Sequence, residues 1–96
     1  MSASMLTVLV YDVSSDARRN RLHALLKQYG EPVQKSAFEA RLTPREREQL
    51  LERVARLLDA KEDRFVLYPI AREQEERVAV VGTARPELKE PSYFLV

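Results

Sequence analysis

The feature that most constrains the fold is an apolar run near the beginning of the chain, which ends at a carboxylate. The run spans residues 5–11, reads Met-Leu-Thr-Val-Leu-Val-Tyr, and is followed by Asp12. A short run of β-branched and aliphatic residues bounded by turn residues is typical of a buried strand. Because the next residues are mostly polar, we expect the strand to leave the core at Asp12. Its carboxylate would then be rigidly held and still in reach of water.

The length of 96 residues predicts a single domain with a modest core. Within residues 1–96 we expect a disordered start over 1–4, a core over 5–84 and a C-terminal arm over 85–96. A hydrophobic share of 45% beside a charged share of 32% fits a compact domain with a charged surface. Since so short a chain buries a small core, an oligomer is a reasonable expectation.

Composition disfavours several classes of protein. No apolar run approaches the roughly 20 residues that a membrane helix needs, and the start of the chain lacks the basic region of a signal peptide. We therefore expect a cytoplasmic protein without a membrane partner. The absence of cysteine excludes disulfides and thiolate metal sites. A net charge of +1 gives no global argument for nucleic acid, so local patches matter more.

Two helices are predicted from the spacing of apolar residues. The first spans residues 16–29, with Ser14 or Ser15 as the cap of its start, and is expected to end at Gly30 as its C-terminal glycine. The second begins at the capping box of residues 43–46, which has proline at the first helical position, and runs to about Asp59 or Ala60. The apolar residues at helical spacing are Leu22, Leu25, Leu26 and Tyr29 in the first helix, and Leu50, Leu51, Val54, Leu57 and Leu58 in the second.

Runs of alternating or continuous apolar residues predict the strands. The charged loop before residues 77–82 predicts a hairpin between two of them. A stiff connector bracketed by Pro86 and Pro91 precedes the last, and the small pair at residues 36–37 marks a bend in another. The predicted strands cover residues 5–12, 33–42, 64–70, 77–82 and 93–96.

The resulting order is β-α-β-α-β-β with a terminal strand, which predicts a two-layer α/β sandwich with both helices on one face of the sheet. This order is similar to the ferredoxin-like class. A ferredoxin-like order would require residues 33–42 to split into a hairpin near Ser36, so the strand order stays open at this point.

The apolar C-terminal strand, residues 93–96, bears on assembly. Four apolar residues at the end of a stiff connector would be costly if left in water. They either close the chain's own sheet or add to the edge of a partner's sheet. We favour the partner, which predicts a homodimer.

Asp12 is the candidate catalytic and metal-binding residue, although its spacing alone is ambiguous. An aspartate after a strand often caps a turn or helix. A single carboxylate is a poor magnesium site, because Mg²⁺ usually takes one or two carboxylates together with water and phosphate oxygens. A symmetric dimer with Asp12 near its two-fold axis would present two carboxylates. A metal held there could lower the pKa of a bound water and polarise a phosphodiester.

Arg18, Arg19 and Arg21 form a local basic patch directly after Asp12. Such a cluster is usually a solvated helix face, but beside a metal site guanidinium groups would hold phosphate oxygens without reading sequence. Two aromatic residues, Tyr11 and Phe38, could stack on bases, with core packing as the simpler interpretation for Phe38. The single histidine, His23, is expected to be a partly exposed helix residue.

Five short motifs together resemble the CRISPR-associated protein two family, in the same order and with similar spacing from Met5 to the tail. The resemblance implies a ferredoxin-like fold and a homodimer whose terminal strands pack on the partner's sheet. It implies a role in CRISPR adaptation, bound to the CRISPR-associated integrase as a bridge for the DNA to be inserted. The motifs are Val-Tyr-Asp-Val-Ser at 10–14, Arg-Arg-x-Arg at 18–21, Tyr-Gly at 29–30, Val-Gln-x-Ser-x-Phe-Glu at 33–39 and Tyr-Pro-Ile at 68–70.

Some members of the family are Mg²⁺-dependent endonucleases on single-stranded RNA or double-stranded DNA. The resemblance places the family's first-strand aspartate on Asp12, near the dimer axis. Pro32 departs from the family pattern, since many members carry an arginine there, and Ala37 stands where valine is common. The residues that match positions used around the family's site are Tyr11, Arg19, Arg21 and Phe38.

The sequence therefore supports three functional hypotheses. The preferred one is a metal-dependent endonuclease in which a pair of Asp12 residues holds Mg²⁺ and arginines hold the phosphate. The alternative is a non-catalytic subunit that bridges DNA in the integration complex, with the arginines on the duplex backbone and Asp12 structural. The third, a regulatory module for a small ligand on the same fold, lacks any recognisable pocket motif.

Overall fold

The computed structural model describes residues 3–82, and the strands predicted at residues 5–12 and 64–70 are confirmed at those bounds. None of the helices in this range is long and apolar enough to cross a membrane. In chain order the elements are β1 (Met5–Asp12), α1 (Asp16–Leu26), β2 (Gly30–Gln34), β3 (Ala37–Leu42), α2 (Pro44–Leu57), β4 (Arg64–Ile70) and a short 3₁₀ helix (Arg72–Arg77).

The four strands form one antiparallel sheet in the order β2-β3-β1-β4. The central strand β1 pairs with β3 on one side and β4 on the other, so that Thr7 lies opposite both Ala40 and Pro69. Pro69 is tolerated because β4 is an edge strand, where a missing N–H donor need not disrupt the ladder. This β-α-β-β-α-β order is that of the ferredoxin-like fold and confirms the predicted α/β class.

The prediction of one strand over residues 33–42 is wrong, because two strands joined at Lys35 and Ser36 occupy this region. β2 begins already at Gly30, and its pairing with β3 is irregular between Pro32 and Gln34. The Lys-Ser link is not one of the Asn-Gly or Asp-Gly turns that signal a hairpin, and glycine and proline are uncommon in strands. The split supplies the strand that the ferredoxin-like order requires.

Gly30 does not end the first helix, which stops at Leu26, before the predicted residue 29. It lies instead in β2, where a Cβ atom would come within 2.0 Å of the Glu39 carbonyl oxygen and 2.7 Å of the Ala40 Cβ atom. The glycine is needed here because β2 approaches the backbone of β3 so closely.

Both helices begin as their capping residues predict. The Ser15 hydroxyl accepts a hydrogen bond from the Arg18 backbone N–H, and both reciprocal bonds of the capping box form between Thr43 and Glu46. The second helix ends at Leu57, before the predicted Asp59 or Ala60. Helix starts are therefore well encoded locally, because side chains there replace the missing backbone partners.

The core lies between the two helices and one face of the sheet. Leu51, which we predicted on the buried face of α2, is 42% exposed, so that face is narrower than the apolar spacing indicates. The buried residues of this core are Leu9, Tyr11, Val13, Phe38, Ala40 and Leu42 from the sheet and its margin, and Leu22, Leu25, Leu26, Leu50 and Val54 from the helices.

The strand predicted at residues 77–82 does not form within the described part of the chain. The 3₁₀ helix is joined to β3 by an ion pair between Arg41 and Glu75, and residues 78–82 then pair with no strand among residues 3–82. Val80 and Val81 are 82% and 100% exposed, so apolar β-branched residues here meet no neighbouring strand. The connector from Pro86 to Pro91 and the terminal strand at 93–96 lie outside the described residues.

Candidate active site at the end of the first strand

Asp12 is the last residue of β1 and is exposed. Because successive side chains of a strand point to opposite faces, Leu9 and Tyr11 are buried beneath the helices, whereas Asp12 lies on the opposite face of the sheet. The structure thus places the carboxylate at the exit of the central strand, where pairing with Arg64 of β4 holds the Asp12 backbone and the side chain is accessible to water.

Among residues 3–82, neither α1 nor α2 covers the sheet face that carries Asp12, and we call this face the open face. The 3₁₀ helix contacts it at Arg41 of β3, which lies opposite Leu6 and pairs with Glu75. Val10 and Tyr68 on this face are 37% and 52% exposed. The register sets Val10 opposite Val66 and Val8 opposite Tyr68. A contiguous apolar surface of this kind is typical of an interaction surface. Its apolar residues are Leu6, Val8 and Val10 of β1 and Val66, Tyr68 and Ile70 of β4.

Arg64 lies directly across from Asp12, because the first residue of β4 pairs with the last residue of β1. Directly opposite residues share a face, so an exposed guanidinium accompanies the carboxylate at the end of the open face. Sequence reasoning did not select Arg64. Antiparallel pairing of the strands at 5–12 and 64–70 would have placed Arg64 beside Asp12, but which strands are neighbours is decided by the tertiary structure.

The three arginines predicted to bind nucleic acid lie in three different environments. Arg18 donates from Nε to an Asp63 carboxylate oxygen at 2.6 Å, and only 23% of its side chain is exposed. Arg19 donates from Nη1 to the Val13 carbonyl oxygen at 2.6 Å and pairs with Asp16. Their assignment to nucleic acid remains a prediction.

Arg21 lines a surface groove between α1 and α2 together with Arg53 and Arg56. Arg53 is held over the ring of Tyr29, 5.8 Å from its centroid, and donates to the Tyr29 hydroxyl oxygen at 3.0 Å. Arg56 forms the predicted ion pair with Glu52 at 3.8 Å. We call this set of three arginines the helix-face cluster; it lies on the helical layer, which covers the face opposite to Asp12.

Tyr11 and Phe38, the candidates for base stacking, belong to the core beneath the helices. Phe38 has no exposed surface, Tyr11 is 5% exposed, and their ring centroids are 6.5 Å apart. The Tyr11 hydroxyl donates to the Lys35 carbonyl oxygen at 3.4 Å, and burial raises the pKa of this phenol, partly offset by the charge of Arg19. Buried rings could stack on a base only after the core opened.

Pro32, where many family members carry an arginine, lies in the edge strand β2 opposite Phe38. It is half-buried and carries no charge. An edge strand tolerates its missing donor, and no phosphate clamp can come from this position.

The residues present fit a magnesium site only in part. Among residues 3–82, no group of three or more histidine, aspartate or glutamate side chains is arranged to hold a metal ion. Asp12 offers the hard oxygen donors that Mg²⁺ prefers, and Mg²⁺ commonly takes only one or two protein carboxylates. A second copy of Asp12 in a symmetric dimer would supply a second carboxylate.

The family model described as CRISPR associated protein Cas2 matches residues 5–78 of this chain. The chain belongs to this family. CRISPR-associated endonuclease Cas2 2 of Thermus thermophilus is 46% identical over 85 residues, which cover 88% of this chain and 91% of the relative. CRISPR-associated endoribonuclease Cas2 2 of a Synechocystis species is 37% identical over 90 residues, 93% of this chain and 95% of the relative.

Solved structures of the Cas2 family share the fold. The crystal structure of Streptococcus pyogenes Cas2 superposes with a TM-score of 0.67 at 32% identity, covering 81% of this chain and all (100%) of that chain. A chain of a partial Cas6-RT-Cas1–Cas2 complex gives a TM-score of 0.65 at 25% identity, covering 80% of this chain and 90% of that chain. Both curated relatives carry nuclease names, so a nuclease within CRISPR is the activity supported at family level.

Proposed function

We propose that this chain is a Mg²⁺-dependent endonuclease of CRISPR adaptation that hydrolyses phosphodiester bonds of single-stranded RNA, double-stranded DNA or both. The proposal depends above all on Asp12, an exposed carboxylate held at the end of the central strand on an apolar open face. The nuclease names of the relatives support it.

The functional unit in this proposal is a homodimer joined through the open faces. Covering the valines and Tyr68 of that face would stabilise the dimer by about 25 cal/mol for each Å² of apolar surface removed from water. A two-fold symmetric contact brings the same patch of both protomers together. Asp12 lies at the end of this patch, so a two-fold axis that passes beside this end would pair the two Asp12 carboxylates.

The Asp12 carboxylates of the two protomers would hold Mg²⁺. When bound, the ion supplies a water of lowered pKa and a positive charge beside the phosphodiester. Asp12 would also accept a hydrogen bond from the attacking water and so orient it. Hydrolysis joins the water oxygen to phosphorus and breaks the bond from phosphorus to a sugar oxygen, which leaves with a proton.

Arg64 would hold the phosphate in this mechanism, because its guanidinium shares the face and the end of the sheet with Asp12. Guanidinium groups bind phosphate oxygens through paired charge-assisted hydrogen bonds. Contacts to phosphate position a nucleic acid without reading its sequence, so the proposal includes both RNA and DNA as substrates.

The experiment that tests this function compares Asp12→Asn with Glu48→Gln, which neutralises an exposed carboxylate on α2. Cleavage of labelled RNA and duplex DNA is measured with Mg²⁺ and with EDTA. We expect Asp12→Asn to lower the rate by about 100-fold or more, Glu48→Gln to leave it within twofold, and EDTA to abolish it. Equal rates for wild type and Asp12→Asn would exclude Asp12 from catalysis.

A second candidate function, the non-catalytic DNA-bridging subunit, is favoured by the helix-face cluster of Arg21, Arg53 and Arg56. These arginines lie away from Asp12, and a structural neighbour comes from an assembly that contains Cas1 and Cas2. In this proposal a CRISPR-associated integrase is the partner and the cluster contacts duplex phosphates. Duplex binding that weakens steeply with salt, no cleavage with any divalent metal, and integration supported together with the integrase would favour it.

A further inference from the structure

We propose that Asp63 is a positioning residue for Asp12, and that Arg18 serves this carboxylate instead of nucleic acid. The catalytic part of this inference rests on the proposed nuclease function. Asp63 immediately precedes Arg64, the cross-strand neighbour of Asp12, so it stands at the point where β4 begins beside the end of β1.

The Asp63 side chain has 0% exposure, although it carries a charge. One carboxylate oxygen accepts Arg18 Nε at 2.6 Å and the Asp59 backbone N–H at 2.9 Å. The other accepts Arg18 Nη2 at 3.2 Å and the Ser14 backbone N–H at 3.1 Å. Four donors satisfy the buried carboxylate, which is the condition under which a buried charge is tolerated.

The bond to Ser14 connects Asp63 to the proposed site, since Ser14 is two residues beyond Asp12. The same peptide segment is held from its other side, because Arg19 Nη1 donates to the Val13 carbonyl oxygen at 2.6 Å. The Ser14 hydroxyl also donates to Glu62 at 3.2 Å. The backbone that leaves Asp12 is therefore held by side chains from α1 and from the loop before β4, whereas strand pairing holds the backbone before it.

Arg18 has little capacity left for phosphate. Its Nε and Nη2 groups are directed at Asp63, and Nη2 also donates to the Ser14 hydroxyl at 3.3 Å. Moving this guanidinium to a ligand would leave the Asp63 carboxylate buried without its cation, which is strongly unfavourable. The exposed Arg21, three residues later on α1, has no such commitment to a buried carboxylate among the contacts of residues 3–82.

The test uses Asp63→Asn in the full chain, with Asp59→Asn as the matched control. Asp59 is in the same loop and is hydrogen-bonded to Asp63 through its backbone: its N–H donates to the Asp63 carboxylate, and its carbonyl oxygen accepts from the Asp63 N–H. Rates are measured below the unfolding temperature of every variant. We expect Asp63→Asn to lower kcat by about 10- to 100-fold, with the substrate KM within twofold and a higher Mg²⁺ concentration needed for half-maximal rate. Asp59→Asn is expected to leave kcat, KM and the Mg²⁺ concentration for half-maximal rate within twofold of the wild-type values.

Hydrogen exchange of the Ser14 amide provides the readout that needs no cleavage. Faster exchange at Ser14 in Asp63→Asn, with unchanged exchange in the core strands, supports the inference even if the wild type proves inactive. An inactive wild type would overturn the proposed nuclease instead. An exchange rate at Ser14 in Asp63→Asn equal to that of wild type would overturn the positioning role. If the wild type is active, an unchanged kcat in Asp63→Asn would overturn it as well.

The assignment of Arg18 is tested by the salt dependence of duplex binding. Removing a phosphate contact lowers the slope of log affinity against log salt by about one. Arg18→Gln is expected to leave the slope at the wild-type value. A slope lowered by about one in Arg18→Gln would show that this arginine contacts phosphate and would contradict its assignment.

Discussion

The two faces of the sheet are built from the same strands, yet they differ in how far their residues are buried and in the charges they carry. On the face beneath the helices, Leu9 and Phe38 have no exposed surface and pack in one core. On the open face, Val10 and Tyr68 keep 37% and 52% of their surface exposed, and charged residues stand at the end of the patch.

Within residues 3–82, the two faces therefore differ in how far the chain itself buries their apolar residues. The apolar side chains of the helix-covered face are buried by other residues of this chain, so substitutions there should change the stability of the fold. The open face retains apolar surface together with Asp12, so changes there should act on assembly and chemistry. The following four predictions test this division.

The largest effect is expected from truncating the helix-covered face. Phe38→Ala removes a fully buried ring and should lower the free energy of unfolding by about 3–5 kcal/mol. Tyr68→Ala on the open face should cost less than about 1 kcal/mol in the isolated protomer. Urea unfolding at a concentration where the chain is monomeric measures both. Similar losses of unfolding free energy in the two variants would show that the two faces contribute equally to the stability of the protomer.

Gly30→Ala tests how tightly the covered side is packed where β2 meets β3. The new Cβ would lie 2.0 Å from the Glu39 carbonyl oxygen, so the backbone must shift. We expect a loss of about 1–3 kcal/mol in the free energy of unfolding. Ser36→Ala, in the exposed turn that follows, is the control and should change stability by less than about 0.5 kcal/mol. An unchanged free energy of unfolding in Gly30→Ala would show that β2 can move away from β3 at little cost.

Val10→Lys and Leu51→Lys form a matched pair for the open face, because these residues are 37% and 42% exposed on opposite layers. A lysine at position 10 would place a charge in the proposed dimer contact and should weaken self-association by about 10-fold or more, about 1.4 kcal/mol. Leu51→Lys should leave association unchanged. Sedimentation over a concentration series measures the dimer fraction; equal dissociation constants would exclude the open face as the contact.

The smallest expected effect is a change of stability with pH, which comes from the buried carboxylate of Asp63 near the end of the open face. The hydrogen bond from Arg18 holds the pKa of Asp63 well below its ordinary value, with help from backbone N–H groups and against the effect of burial. A lowered pKa in the folded state stabilises the fold above the unfolded-state pKa of about 3.9, and this stabilisation is lost as pH falls through the folded-state value.

We therefore expect the stability difference between wild type and Asp63→Asn to be constant above about pH 5 and to shrink below about pH 4. Urea unfolding at several pH values measures it, with Asp59→Asn as control. A difference that stays constant down to about pH 2 would show that the Asp63 carboxylate is not stabilised in its charged form.

Local signals were sufficient for the parts of the fold that depend on neighbouring residues. The apolar run before Asp12 predicts β1 at its observed bounds. A cap at Ser14 or Ser15 and the capping box at Thr43 predict both helix starts, and the structure selects Ser15 for the first. Caps and runs are readable because their partners lie within a few residues. The same reasoning failed where an apolar pattern had no partner, as at Val80 and Val81.

The candidate site was predictable only in its central residue. Asp12 was selected because a carboxylate ends a buried strand, whereas Asp63 and Arg64 come close to it only through the pairing of β4 with β1. The adjacent arginines looked alike in the sequence. The fold gave each of them a different partner, because helical geometry turns neighbouring side chains in different directions.

By itself, the sequence determined the strand that carries Asp12, the starts of both helices, the two-layer α/β class and the family. Only the tertiary structure decided that residues 30–42 form a hairpin, that Tyr11 and Phe38 are core residues and that Arg18 is engaged by a buried carboxylate. The physical reason is the range of the interactions. Caps and apolar runs act between near neighbours, whereas the pairing of β1 with β4 and the burial of the Asp63 charge join residues about 50 positions apart. The hairpin joins near neighbours, but its turn carries no recognisable signal, and β3 also pairs with the distant strand β1.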